Sequence, residues 1–148
     1  MKVANNFFLL CQEASFGAVN GVVSALNILE IIKIKKNDSN RKVSFVALTK
    51  NTLRIEKDDK DDLSFFFSLE VKNKTTGKTK KIFDKEGKEL KIGLKFNRKD
   101  MDGQTELSMG TVTPIEFKFK EEGLYEFSIF DSKKAKLSSY NIFVKLEE

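Results

Sequence analysis

Histidine and tryptophan are absent from this 148-residue chain, and cysteine and proline occur once each. Without His, the side chain that most often serves as general base and transition-metal ligand is missing. A single Cys cannot close an intramolecular disulfide, so nothing in the thiol content points to an oxidising compartment. Cys11 ends the apolar run Phe7-Phe-Leu-Leu-Cys11, a setting that predicts a buried thiol of raised pKa and low reactivity. No Ser stands in a nucleophile-elbow pattern, and Gly17, Gly21, Gly77 and Gly110 are isolated, so no phosphate-cradling loop is present. No catalytic residue, cofactor site or metal site is therefore assigned, and a non-enzymatic protein is expected. Long apolar runs are also lacking: no stretch approaches the ~18 residues of a membrane span. Near the start, Lys2 is the one early cation. The apolar run after Asn6 holds about five residues, against ~7–15 in a secretion signal. Leu10 precedes Cys11 where a lipoprotein signal wants a small residue. These features predict a cytoplasmic protein with no membrane insertion.

What the chain does hold is Phe, Lys and strict alternation. Fourteen Phe, within a hydrophobic fraction of 40%, supply a core, and a charged fraction of 33% supplies a surface. The length suits one domain, residues 1–148. Leu63, Phe65, Phe67, Leu69 and Val71 alternate with Ser64, Phe66, Ser68 and Glu70. The same period of two recurs in Leu90–Phe96, in Ile115–Phe119, in Tyr125–Ile129 and in the closing Tyr140–Leu146. Turn residues fall between the runs, at Thr76-Gly77, Glu86-Gly87, Asp102-Gly103 and Glu122-Gly123. Residues 19–34 are dense in β-branched side chains, and Asn20-Gly21 is a hairpin signal. Two strands, roughly 7–13 and 22–35, are expected around it, with a short helix as the alternative. Together these patterns predict an all-β, antiparallel sandwich or barrel.

Three segments carry a family resemblance: Phe7–Cys11 with Asn20-Gly21 and the strand after it, Pro114-Ile-Glu-Phe-Lys-Phe119, and Glu121-Glu-Gly-Leu-Tyr-Glu-Phe127 with Tyr140–Leu146. In these the chain resembles an uncharacterised bacterial family of small, single-domain immunoglobulin-like β-sandwich proteins. The likeness covers both ends and leaves residues 71–110 unmatched. Joined to the strand pattern, it implies an all-β, antiparallel, immunoglobulin-like β-sandwich of about seven to nine strands, including a Tyr whose hydroxyl returns to backbone at a strand corner, and it implies no activity.

Two surfaces stand out as places for a partner. Phe66, Phe130 and Phe143 fall on the faces opposite the apolar side of their strands. They are candidates for a patch that binds another protein or a second copy, and an exposed edge strand offers a further route. The second surface is the Lys72–Lys99 meander, where eleven Lys and Arg face three acids. Lys78, Lys80, Lys81, Lys88, Lys91 and Lys95 are its candidate anion-binding residues, with nucleic acid as the alternative partner. Lys outnumbers Arg there, which serves bidentate recognition poorly. The acidic turns, Asp58–Asp62 and Asp100–Asp102, read as solvated loops. Placing Gly103 at the invariant glycine of a calcium loop puts Arg98 and Met109 at its first and last ligand positions.

Overall fold

The computed structural model describes residues 1–16 and 23–148, without the side chains of Asn5, Phe16 and Val23. The Asn20-Gly21 turn lies outside the described residues. Ten strands and one 3₁₀ turn, Arg98–Met101, make up the regular structure among them. The strands are β1 Lys2–Phe16, β2 Val23–Ile28, β3 Ile31–Lys35, β4 Lys42–Arg54, β5 Asp62–Asn73, β6 Thr79–Lys81, β7 Lys91–Asn97, β8 Glu106–Lys118, β9 Gly123–Phe130 and β10 Lys136–Glu147. They form two sheets. One has the order β2-β1-β4-β8; the other has β3-β10-β9-β5-β6, with β7 also paired to β5.

The alternation sets which side of each strand turns inward. Phe67, Leu69, Val71, Phe127, Ile129, Ile142 and Val144 from the second sheet meet Phe8, Leu10, Phe45, Ala47 and Ile115 from the first. At the centre, Phe45 and Phe127 pack edge to face at 5.6 Å between centroids, and Phe119 meets Tyr125 at 5.0 Å. Such contacts add to the burial of apolar area, which is what holds the two sheets together. Cys11 is fully buried, and burial pushes its thiol pKa up.

Polar residues also enter the interior. Ser138 donates to Asn6, Asn6 to Asn51, and Asn51 to Thr49 at 3.0 Å, and Thr49 bonds Thr111. This chain runs through β10, β1, β4 and β8 and so joins the two sheets. Asn51 and Thr49 are fully buried. Leaving any of their polar groups unpaired there would cost about 1–3 kcal/mol.

Three expectations are corrected. The strand expected over 22–35 is two strands, because the backbone turns at Leu29-Glu30 and passes from one sheet to the other. Asn27 takes a left-handed φ of 54° just before the change, Leu29 N–H donates to Leu10 O at 2.9 Å, and Phe143 N–H donates to Glu30 O at 2.9 Å. β2 runs antiparallel to β1, while β3 runs parallel to β10, so the sandwich is not wholly antiparallel. The strand count among the described residues is ten rather than seven to nine, since that split and the short edge strand β6 both add to it.

Candidate functional site

Each sheet has two borders, and the topology places unlike side chains on them. β2 and β3 end their sheets on one border; β8 and the β6–β7 pair end them on the other. The first border is apolar. Leu26, Ile28 and Ile31 are 58%, 52% and 57% exposed, and Phe143 lies beside Ile31 in the parallel ladder. β3 adds Lys33 and Lys35, both exposed, with Lys33 3.8 Å from Glu147.

Phe66, Phe130 and Phe143 all lie on the outer face of the second sheet, in two separate places. Phe130 pairs with Ser68 in β5, which makes Phe66 its diagonal neighbour. Phe143 pairs with Leu124, six residues before Phe130 along β9, about 20 Å away at ~3.4 Å per strand residue. Between the two places runs a charged band. Glu126 sits 2.9 Å from Lys136 and 3.7 Å from Lys74, and the Lys136 ammonium holds its carboxyl below the usual Glu range. Phe66 has a structural task as well. Its ring lies across Gly93 in β7, where an added Cβ would come within 3.1 Å of it, so the ring covers backbone that Gly leaves bare.

The six candidate lysines of the meander do not share one face. Lys81, Lys91 and Lys95 point outward on the second sheet, opposite Glu70, Ser68 and Ser64. Lys81 also pairs with Glu89 at 3.4 Å, and Lys88 with Glu86 at 3.7 Å on a loop tip. Lys78 and Lys80 take the opposite side of the border. With Lys118 and Lys120 they surround a cavity of about 160 Å³ whose wall includes Val71, Phe117 and Tyr125. Lys118 and Lys120 lie outside the 72–99 segment, so charge density along the chain gave no sign of this grouping.

The local turn builds that cavity. Asn73 Oδ1 accepts from the N–H groups of Thr75 (2.9 Å) and Thr76 (3.3 Å), the Asx geometry that closes a turn with a side chain. The turn packs so tightly on Gly123 that a Cβ there would lie 2.8 Å from Thr75 Oγ1 and 2.9 Å from Asn73 Oδ1. Tyr125 donates to Glu121 O at 2.6 Å, and burial raises its phenol pKa. Glu121 in turn holds Lys78 at 3.1 Å. Asn73 Nδ2 is the one buried side-chain polar atom without a partner among the described residues.

A larger groove, about 880 Å³, runs along the same border between the 82–90 loop and β4–β8. Phe83 stands exposed on its rim, and Glu116 is paired with Lys42 at 2.9 Å inside it. The acidic turn at 58–62 serves the fold. Asp59 accepts from the Met1 ammonium at 2.8 Å, which holds its carboxyl below the usual Asp range, and its backbone carbonyl accepts from Arg98 at 2.8 Å. No group of three or more His, Cys, Asp or Glu side chains suited to a metal occurs among the described residues. No helix among them is long and apolar enough to cross a membrane. Compared with known proteins, the chain matches no family model, no curated protein and no solved structure.

Proposed function

We propose that the protein is a non-enzymatic, cytoplasmic interaction module whose β2–β3 border accepts an extended strand of another protein. The observation that carries this reading is the run of exposed apolar side chains on that border, Leu26, Ile28 and Ile31, on strands with one side unpaired among the described residues. Edge strands in monomers are normally blunted by charge, proline or cover, because their open N–H and C=O groups template pairing. β2 carries no charged residue. Strand addition satisfies the backbone and lets alternate side chains set specificity.

The occupant is a different chain rather than a second copy. Antiparallel self-pairing about the centre of β3 would set Lys33 against Lys33, and like charges directly opposite are destabilising. An incoming strand with apolar and acidic residues in alternation suits Ile31, Lys33 and Lys35 better. The reading also takes the sandwich as immunoglobulin-like. Its support is that β4 pairs with β8 in one sheet and β5-β9-β10 lie together in the other, the arrangement of strands B–E and C–F–G in that fold. The Tyr125 hydroxyl bonded to Glu121 O matches the tyrosine corner. β1, lying between β2 and β4, is an addition to that plan.

The test is a tagged pull-down from the native cell with and without nuclease, comparing wild type with Ile28→Ser and Ile31→Ser. The expected result is a discrete protein captured by the wild type and lost from both variants, whose thermal unfolding is unchanged. Capture that is abolished by nuclease, or retained by both variants, would sink the reading.

A further inference from the structure

We propose that the cavity between β6 and the end of β8 binds a small-molecule oxyanion, a phosphate or a carboxylate, carried on an apolar body. Four lysines, Lys78, Lys80, Lys118 and Lys120, surround it against the single carboxylate of Glu121. Glu121 is committed to Lys78 at 3.1 Å, and no ion pair holds Lys80, Lys118 or Lys120 among the described residues. The ammonium groups are donors only, as is the unpartnered Nδ2 of Asn73, a residue of the cavity wall. That nitrogen's identity is settled by its neighbours: two backbone N–H groups bond the other end of the amide, so the oxygen must lie there. A buried donor without an acceptor, on the wall of a cavity ringed with ammonium groups, asks for a ligand oxygen bearing negative charge.

The same geometry defines the rest of the ligand. Val71, Phe117 and the Tyr125 ring give the cavity apolar walls, against which a small hydrocarbon or aromatic body packs. A polyanion track is a poorer match. Lys81 and Lys88 are paired with Glu89 and Glu86, and Lys91 and Lys95 face outward from another surface. The cationic side chains therefore converge on a cavity instead of lining a path. This site lies on the opposite border from the strand-accepting edge and stands or falls independently of it.

The experiment is an NMR titration of ¹⁵N-labelled full-length protein with phenyl phosphate, benzoate and, as the neutral relative, phenol. Saturable shifts of the Asn73 side-chain amide with phenyl phosphate or benzoate, and none with phenol, are expected; the stronger of the two anions identifies the oxyanion. Lys80→Glu should weaken binding about tenfold or more, the loss of one charge-assisted hydrogen bond, and Lys95→Glu, of equal net charge, by less than about twofold. Asn73→Asp keeps the oxygen that closes the turn and replaces the donor with an anionic acceptor, so it should abolish the shifts elsewhere in the cavity. Unmoved Asn73 signals with both anions would overturn the proposal. Equal weakening by Lys80→Glu and Lys95→Glu would do the same, since it would mean a diffuse field, as would tighter binding of a single-stranded oligonucleotide with that same insensitivity to position.

Discussion

The two borders of this sandwich are built from the same kind of element, strands with one side unpaired among the described residues, yet they differ in chemistry. On the β2–β3 border the exposed side chains include Leu26, Ile28 and Ile31; on the β6–β8 border they include Lys78, Lys80, Lys118 and Lys120. Lysines are the usual protection of an exposed sheet edge, so the second border is defended against pairing and β3 of the first is defended in part by Lys33 and Lys35, while β2 carries no charge. The difference teaches that the inner faces of a sandwich are set by burial, whereas its borders are left to be specialised. One border is suited to backbone pairing, the other to charge.

The sharpest way to separate structure from specialisation is to compare neighbours on one strand. Ile32 is buried in the core and Ile31 beside it is exposed. Ile32→Ala is expected to lower stability by about 2–5 kcal/mol, through lost burial and the cavity left behind, and Ile31→Ala by no more than about 0.5 kcal/mol. Urea denaturation of the two variants checks this. Equal losses would mean that Ile31 belongs to the core and the apolar border is not free to serve a partner.

On the cationic border, Gly123→Ala drives a Cβ to within 2.8 Å of Thr75 Oγ1 and 2.9 Å of Asn73 Oδ1, at a φ of +154°. A loss of about 1–3 kcal/mol is expected, of the size of other local backbone strain, together with displacement of the Asn73 turn visible in the amide spectrum. Tyr125→Phe removes one hydrogen bond, to Glu121 O, and should cost about 0.5–1.5 kcal/mol by thermal unfolding. A null effect there would weaken the tyrosine-corner reading.

The smallest effect belongs to the band that divides the outer face of the second sheet. Lys136, and behind it Lys74, hold the Glu126 carboxyl below its ordinary range. A lowered folded pKa contributes stability above the unfolded value, near ~4.3 for Glu, and that contribution is lost as pH falls through the lowered folded value. Glu126→Gln should therefore cost about 0.2–1 kcal/mol at neutral pH and leave the variant no less stable than wild type once the pH is below the folded pKa. Stability curves of both proteins from pH 2 to 7 check the sign.

Much of the fold was legible because burial on one face imposes a period of two. Leu63–Val71, Ile115–Phe119, Tyr125–Ile129 and Ile142–Val144 turn the expected side inward. The split of 22–35 was not legible, because a strand that changes sheets keeps its apolar, β-branched composition while exchanging partners. The cationic cavity escaped for a related reason. Lys78 and Lys80 come from the meander, but Lys118, Lys120 and the Asn73 amide join them only through the adjacency of β5, β6 and the end of β8. The three outward Phe show the converse. A shared face was readable from parity, and the roughly 20 Å between Phe130 and Phe143 depends on register, which parity does not contain.

The chain of polar groups from Ser138 through Asn6, Asn51 and Thr49 to Thr111 bears on how this sequence can drift. Each member is satisfied by the next, so replacing one with an apolar residue strands its neighbour's donor or acceptor in the interior, while replacing all of them together removes the demand. The costs of single changes along the chain thus add up to more than the cost of replacing all five together, a strongly non-additive set. Over divergence these five positions are held as they are or exchanged as a block, which makes them a signature by which distant relatives of this sandwich can be sorted.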